Sequence, residues 1–367
     1  MSCNRSGILT ASWSSSEKII SFIALFVVNF LAVTGNFLVV IVIARTRQLR
    51  RKESNWFVVN LALADLFVAF TIIPTTLDTL MSGGFRLGFK FKEFIGFANF
   101  LFCICSIMNL QLLSFDRWFA IAKPFKYISF VSPRKAVAAS LLVWLYAMFC
   151  ALPPKFGLSS YFCFIPNLDN CDIEKDWSGS SGSLVFAIAV LGLTYCFALT
   201  VMAVCYWKIF GIARSHVRRI NVQNFPNCMS SEKFQPLQMK DISYSSTSRI
   251  ETPRKTFEIF APIASNSRQT RGHRSHASDI RTAKSFLSVI GAYFFCWTPF
   301  CVKLFLDILK QEKINPKVSL IFLWLGYTNS CLNPLIYTWK YKQFRSALIS
   351  ATKKFRGRFS VNKSNRQ

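Results

Sequence analysis

The chain has 367 residues, of which 52% are hydrophobic and 16% aromatic, and its mean hydropathy is +0.34. Soluble globular domains are less apolar, so the composition argues against a soluble enzyme or binding domain. The net charge of +27 would suit a nucleic-acid-binding protein. The basic residues, however, are gathered in a few segments between apolar runs, a distribution that favours membrane topology over nucleic acid.

Seven long apolar segments divide the chain. About 20 apolar residues cross a hydrocarbon core of about 30 Å, and backbone polar groups in lipid must be bonded within the segment. The sequence therefore predicts an all-α membrane protein, a bundle of seven transmembrane helices. An outer-membrane barrel would need short alternating strands, which these continuous runs do not provide. The predicted spans are 20–44, 56–81, 93–118, 136–157, 183–209, 280–306 and 316–339.

The spans define the expected domain organisation. Residues 1–19 form the N-terminus, 20–339 the seven-helix domain, and 340–367 an interfacial helix with a tail. The final region is predicted to begin with a short amphipathic helix, because aromatic and basic residues alternate there at helical spacing. Within the domain, 210–279 is basic and rich in serine and threonine, so it is predicted as a disordered loop. It is either a phosphorylation-controlled docking segment or a plain connector.

The basic clusters predict the orientation. They follow span one, separate spans three and four, fill the loop after span five, and follow span seven, which places them all on one side. Because cytoplasmic loops carry the excess of Lys and Arg, the N-terminus is expected outside and the C-terminus in the cytoplasm of a multi-pass membrane protein. Anionic membrane lipid is an expected partner. Asn4, in an Asn-Arg-Ser string, is then an outer glycosylation acceptor.

Cysteines in the second outer loop lie in an oxidising compartment, so a disulfide is expected there. Cys163 and Cys171 pair with each other, or Cys3 joins one of them, since connectivity cannot be read from sequence. The same loop is acidic.

Charged and helix-disrupting residues inside lipid are costly, so they are candidate functional residues. They occur in the strings Gly35-Asn36, Leu61-Ala62-Leu63-Ala64-Asp65, Ser114-Phe115-Asp116-Arg117-Trp118, Trp144, Tyr206, Cys296-Trp297-Thr298-Pro299, and Asn329-Ser330-Cys331-Leu332-Asn333-Pro334-Leu335-Ile336-Tyr337. In set and order these strings resemble the rhodopsin-like (class A) G-protein-coupled receptors, over nearly all the chain outside 210–279, and most closely the biogenic-amine receptors. The resemblance implies a receptor that is no enzyme, binds an extracellular ligand, activates heterotrimeric G proteins, and interacts with arrestin and receptor kinases.

Asp65 is a carboxylate near the middle of a span. An acidic group there costs roughly 2.5–3.5 kcal/mol on insertion scales, so it needs partners. Hard oxygen ligands suit a small hard cation. The resemblance implies a sodium ion as an allosteric modulator and no other cofactor; a water-filled hydrogen-bond network is the alternative. The remaining candidate ligands are Ser106, Asn329, Ser330 and Asn333.

A second group of residues is expected to act as the activation switch. The resemblance implies that Arg117 pairs with acids such as Asp116 at rest and contacts the G protein when active. Prolines within spans six and seven free backbone groups and bend the helices, which gives elements able to switch; static kinks are the alternative. The other members of the set are Tyr206, Asp279, Pro299, Pro334 and Tyr337.

Substitution of Asp279 by alanine is expected to raise basal signalling, because it removes an acid that the resemblance pairs with Arg117. Exposed ion pairs contribute only about 0–1 kcal/mol, which suits a reversible latch. The check is ligand-independent G-protein activation at matched receptor density. Unchanged basal output would contradict the latch.

The ligand is expected under the second outer loop. Where the amine receptors place an aspartate on span three, this chain has Asn99, and an amide cannot make a charge-assisted bond to an ammonium. Aromatic rings nearby could hold a cation through their faces or line an apolar pocket. A small amine-like molecule and a peptide or neutral small molecule therefore both stay open, and the acidic outer loop suits a basic peptide. The candidate ligand-binding residues are Asn99, Cys103, Trp297, Phe300, Trp324 and Tyr327.

Two departures from the family bear on these alternatives. Lys92 stands where the family has an outer cysteine on span three, so the usual disulfide to the second outer loop cannot form. Tyr327 stands where a light-sensing opsin has its Schiff-base lysine, which argues against that class. A transporter or channel is the more distant alternative, and Asp65 alone is little polar lining for a pathway.

Overall fold

The computed structural model describes residues 13–83, 86–156, 181–224, 287–306, 315–340 and 343–350. Throughout these ranges the regular structure is helical, with no strand. Short helical turns at Arg47–Arg50, Pro124–Phe130 and Pro153–Phe156 lie between the long helices. The long helices are α1 (Ser15–Arg45), α2 (Ser54–Ser82), α3 (Phe89–Ala122), α4 (Pro133–Ala151), α5 (181–224), α6 (Leu287–Leu306) and α7 (Pro316–Lys340), and a shorter α8 (343–350) follows.

Six of these helices, α1 to α6, are long and apolar enough to cross a membrane. Helix α7 is not among the six, although its 25 residues reach over about 37 Å at about 1.5 Å per residue. Its polar residues Asn329, Ser330 and Asn333 lower its hydropathy. The seven long helices coincide with the seven predicted spans; the predicted start of span six, at residue 280, lies outside the described residues.

The N-terminus of α1 is fixed by a capping box. The Ser14 backbone N–H donates to Glu17 Oε2 at 2.8 Å, and the Glu17 N–H donates to Ser14 Oγ at 3.2 Å. This reciprocal pair satisfies two backbone donors that the first turn would leave unbonded. Helix α2 ends at Gly83, whose φ of 78° lies in the left-handed region that glycine adopts without strain.

The predicted end of span four at residue 157 is wrong. Helix α4 ends at Ala151, and Pro153–Phe156 form a separate 3₁₀ turn. Two consecutive prolines lack backbone N–H donors, so the α-helical hydrogen-bond pattern cannot continue through Pro153 and Pro154, and the helix stops ahead of them.

The predicted boundary between span five and the loop 210–279 is also wrong. Helix α5 continues to Asn224, so the first residues assigned to the loop are helical. The next proline along the chain is Pro226, just past the end of the helix. Since charged and aliphatic residues form helices well, the basic character of this stretch did not terminate α5. The rest of the predicted loop, 225–279, lies outside the described residues.

Helix α3 is central, and it packs against α2, α4 and α5, while α1 packs against α2 and α7. Asn60 ties three of these helices together. Its Nδ2 donates to Asn109 Oδ1 at 2.6 Å, and its Oδ1 accepts from Trp144 Nε1 at 2.8 Å. Asn109 in turn donates to the Cys105 carbonyl at 2.8 Å. Each buried amide is thereby bonded, as polar groups inside a membrane must be.

Candidate functional site

The carboxylate of Asp65 is the centre of a buried polar cluster between α2, α3 and α7. The residue is fully buried. Its Oδ1 accepts from Ser106 Oγ at 3.1 Å and from Ser330 Oγ at 2.9 Å. Its Oδ2 accepts from Asn333 Nδ2 at 2.8 Å. Three of the four predicted partners therefore meet the carboxylate, each from the helix expected.

Two amide oxygens on α7 are buried without a donor among the described residues, the Oδ1 atoms of Asn329 and Asn333. Asn333 belongs to the cluster, because its Nδ2 bonds to Asp65. A buried polar atom left unsatisfied costs about 1–3 kcal/mol, so something is expected to occupy it. The Asp65 carboxylate, the two serine hydroxyls and the Asn333 amide oxygen form an all-oxygen donor set, and that chemistry fits a small hard cation.

Asn99 is the polar centre of a second cluster, in the outer half of the bundle. Its Oδ1 accepts from Cys103 Sγ at 3.4 Å, one turn along α3, and from Tyr327 OH at 3.5 Å, on α7. Asn99 and Tyr327 are both buried. The neutral Asn99 amide therefore joins α3 to α7 through its bond with Tyr327.

Tyr327, which bonds to this amide, belongs to a cluster of aromatic rings. The ring centroids of Trp297 and Phe300 lie 6.2 Å apart at 81°, an edge-to-face arrangement. Phe300 and Tyr327 belong to one apolar cluster against which Cys103, Trp297 and Trp324 pack. All six predicted ligand-binding residues therefore come together.

Two details of the aromatic cluster were not expected from the sequence. Trp297 lies against Gly326, where an added Cβ would sit 3.1 Å from the indole, so glycine is what lets α6 and α7 approach here. The Trp324 Nε1 donor is buried and has no partner among the residues described. The aromatic cluster therefore contains ring faces together with an indole N–H that the described residues leave unbonded.

A third layer, at the mouth of the pocket, was missed by sequence reasoning. The Trp13 ring lies 5.9 Å from that of Trp324, between their centroids. Lys317 Nζ sits 5.4 Å from the centroid of Trp13 and 2.8 Å from a carboxylate oxygen of Glu17. The Ser14-x-x-Glu17 spacing indicates the start of a helix. No local sequence pattern indicates that Trp13 and Glu17 contact Lys317 on α7.

The predicted switch pair lies near the C-terminal end of α3. Arg117 donates through Nε and Nη2 to Asp116 Oδ2, at 3.0 and 2.5 Å, and both residues are buried. Tyr127, which was not predicted, donates its hydroxyl to Asp116 Oδ1 at 2.8 Å and lies 3.4 Å from Ser54 Oγ. Burial, together with the Asp116 charge, raises the pKa of Tyr127, so the phenol remains a donor.

Comparison with known proteins decides the class. Residues 35–337 match the family described as 7 transmembrane receptor (rhodopsin family). The chain belongs to the rhodopsin family of seven-transmembrane receptors. This confirms the predicted fold class and the prediction of a G-protein-coupled receptor that is not an enzyme.

Individual relatives agree with the family. The receptor is 29% identical to the 5-hydroxytryptamine receptor 7 of Xenopus laevis, over 91% of this chain and 76% of the relative. It is 27% identical to a tyramine receptor of Caenorhabditis elegans, over 90% and 83%. It is 28% identical to the alpha-1D adrenergic receptor of Sus scrofa, covering 89% of this chain but 55% of that longer protein. These relatives confirm the predicted resemblance to biogenic-amine receptors.

A solved structure supports the architecture. The crystal structure of squid rhodopsin superposes on the receptor with a TM-score of 0.70 at 18% identity, covering 94% of this chain and 87% of that one. At this identity the likeness establishes the shared helix bundle, and the ligand has to be argued from the pocket.

The remaining switch residues are placed in part. Tyr206 and Tyr337 are both buried, and the Tyr206 hydroxyl has no hydrogen-bond partner among the described residues. Pro334 lies inside α7 and Pro299 inside α6, and both helices continue through them. Four predicted site residues lie outside the described part of the receptor: Asn4, Cys163, Cys171 and Asp279.

Proposed function

We propose that this receptor lies in the plasma membrane with its N-terminus outside and its C-terminus in the cytoplasm, binds an extracellular small amine-like ligand, and activates a heterotrimeric G protein. The observation that carries the ligand site is the gathering of four aromatic side chains, Trp297, Phe300, Trp324 and Tyr327, in one cluster in which Tyr327 bonds to Asn99. The amine class is supported by relatives named as 5-hydroxytryptamine, adrenergic and tyramine receptors.

Asn99 determines how such a ligand is held. With a neutral amide at this position, an ammonium beside Asn99 finds no carboxylate to form an ion pair with, and it depends on the ring faces of Trp297, Phe300 and Tyr327 for most of its electrostatic attraction. A cation over an aromatic face gains about 0.5–2 kcal/mol, depending on desolvation. A hydrogen bond from the ammonium to a charged carboxylate contributes about 1.5–3 kcal/mol. The expected affinity for simple amines is therefore modest.

Asn99→Asp is expected to raise amine potency by about tenfold or more, since about 1.4 kcal/mol corresponds to a factor of ten. The new carboxylate keeps an oxygen for Cys103 and for Tyr327, so the contacts made by Asn99 Oδ1 survive. The measurement is tryptamine-dependent GDP release from a panel of Gα subunits by receptor in nanodiscs, with Asn99→Leu as the variant that lacks a polar group.

Each outcome of that experiment points to one ligand class. Activation by amines that grows with Asn99→Asp supports the proposal. Activation only by peptides or neutral compounds, unaffected by the charge, favours the alternative ligand class. Flux of a solute or current without a G protein, and no GDP release from any Gα, would favour a transporter or channel.

A sodium ion in the cluster around Asp65 is the second part of the proposal. The ion would take Asp65, Ser106, Ser330 and the orphaned amide oxygens of Asn329 and Asn333 as ligands. It would draw α2, α3 and α7 together and so favour the arrangement described here over one in which α7 has moved. A ligand shifts such an equilibrium only by its differential affinity for the two arrangements.

The cytoplasmic switch completes the mechanism. In the resting arrangement Asp116 holds Arg117, and Tyr127 holds Asp116; activation releases the guanidinium to contact the G protein. Movement of the inner half of α6 about Pro299 opens the site, and the Tyr206 and Tyr337 hydroxyls then meet through water. The Ser- and Thr-rich segment within 225–279 provides the site for receptor kinases, and arrestin binds after phosphorylation.

A further inference from the structure

Lys317 is surrounded like a bound organic cation. Its Nζ lies 2.8 and 2.9 Å from the two carboxylate oxygens of Glu17. It also lies 5.4 Å from the centroid of the Trp13 ring. A carboxylate on one side and an indole face on another are the two groups by which proteins hold an ammonium ligand. Here the ammonium is supplied by the chain itself, from the outer end of α7.

The carboxylate at this site is held in place independently of the lysine. Glu17 is the third residue of α1, and its Oε2 accepts the Ser14 backbone N–H at 2.8 Å in the capping box. Lys317, in contrast, has a flexible stem that can swing into water. The side chains of Lys317 and Glu17 are 28% and 44% exposed. A partly exposed ion pair is weakened by solvent and exchanges its partner readily.

The site is continuous with the ligand pocket. Trp13 packs at 5.9 Å on Trp324, which lines the pocket, and Trp324 Nε1 is a buried donor without a partner among the described residues. The aromatic wall therefore runs from the pocket to the Glu17 carboxylate at its mouth. Since Asn99 carries no charge at the pocket base, a negative charge at the mouth gives an ammonium the electrostatic partner that the base lacks.

We propose that Glu17 and Trp13 form an ammonium-binding subsite at the outer ends of α1 and α7, which Lys317 fills in the free receptor and an extracellular amine takes over. The inference rests on the proposed amine class. The incoming ammonium replaces one cation by another at Glu17, so the charge of the subsite is unchanged and the freed Lys317 is hydrated. No covalent bond is made or broken.

The test is saturation binding of radiolabelled tryptamine to the full-length receptor in nanodiscs. Lys317→Met keeps most of the apolar stem and removes the competing charge, so the Kd is expected to fall about threefold or more, the scale of a partly exposed ion pair. Glu17→Gln is expected to raise the Kd by a similar factor. In the double variant the gain from Lys317→Met should disappear, because the empty subsite has lost its carboxylate.

Two matched variants separate the subsite from general effects. Ser14→Ala removes the capping hydroxyl but keeps the carboxylate, so it tests whether Glu17→Gln acts only by loosening the start of α1. Arg86→Met breaks the comparable outer ion pair with Asp78, 2.6 Å long, on α2. Both are expected to leave the Kd unchanged. An equal loss in Ser14→Ala and Glu17→Gln, or an equal gain in Arg86→Met and Lys317→Met, would overturn the subsite.

GDP release measured in parallel distinguishes this inference from the function it rests on. If tryptamine activates the wild type but its Kd is the same in Lys317→Met and Glu17→Gln, the subsite is refuted and the proposal of an amine receptor is retained. If Lys317→Met binds tryptamine with the predicted dependence on Glu17 while no variant releases GDP with it, the subsite stands and the signalling role of amines is refuted. Absence of binding in every variant overturns the subsite.

Discussion

Replacing Gly35 with alanine is expected to push α1 and α7 apart and to destabilise the receptor. An added Cβ would lie 2.8 Å from Pro334 Cβ and 2.9 Å from its Cγ. Carbon atoms in contact are about 3.5–4.0 Å apart, and a proline ring within a helix cannot swing aside. Any shift of α7 also stretches the bond from Asn36 Nδ2 to the Ser330 carbonyl, now 2.9 Å. Overpacking of this kind costs about 1–3 kcal/mol.

The measurement is the thermal midpoint of purified receptor, and Gly291→Ala is its matched control. Gly291 lies in α6, and an added Cβ there would meet nothing within 4 Å. Since alanine favours a helix over glycine by about 1 kcal/mol, the control is expected to be neutral or more stable. A midpoint for Gly35→Ala equal to or above the wild type would show that α1 and α7 have room that the structure does not give them.

The Asp65 cluster shows what the sequence was able to predict. A lone carboxylate in an apolar helix demands polar partners, and residues with oxygen or amide groups occur at one depth in the other spans. Three of the predicted partners, Ser106, Ser330 and Asn333, do bond to it. The cost of a charge in lipid explains why Asp65 has polar partners. The resemblance to the receptor family indicated which residues they are.

Tyr127 and Asn60 show what the sequence could not predict. Tyr127 reaches Asp116 from a short turn after α3, and nothing in the spacing of loop residues specifies that reach. Asn60 meets Asn109 and Trp144 because the rotation of three helices about their axes brings those positions together. Such contacts depend on helix rotation and loop geometry, which a single sequence does not reveal. The same holds for the contact between the outer ends of α1 and α7.

Asp65→Asn is expected to abolish the effect of sodium on the receptor while leaving it folded. Asparagine is nearly isosteric, and its Oδ1 can still accept from Ser106 and Ser330. Its Nδ2 would face the Nδ2 of Asn333, but Asn333 Oδ1 has no hydrogen-bond partner among the described residues. A flip of the Asn333 amide therefore re-pairs the network. Asp65→Leu offers no acceptor, so the donors of Ser106, Ser330 and Asn333 would be left without their partner, at a cost of about 1–3 kcal/mol each.

The charge itself cannot be replaced in this way. Two opposite unit charges about 4 Å apart attract by about 4 kcal/mol at an effective dielectric of about 20, against which a neutral amide offers only its dipole. The expected loss of sodium affinity is therefore well over tenfold, since about 1.4 kcal/mol already corresponds to a factor of ten. In the wild type, sodium is expected to slow basal GDP release, because the ion favours the arrangement with α2, α3 and α7 drawn together.

The measurement is basal GDP release as NaCl replaces KCl at constant ionic strength, which keeps general screening fixed and introduces no organic ammonium. A saturable decrease is expected in the wild type and a flat response in Asp65→Asn. Asp78→Asn is the matched control, because it removes a carboxylate from the outer end of the same helix, where Asp78 pairs with Arg86 in the open. A sodium response that survives Asp65→Asn, or vanishes equally in Asp78→Asn, would place the effect of the ion elsewhere and leave the buried cluster as a water-filled network.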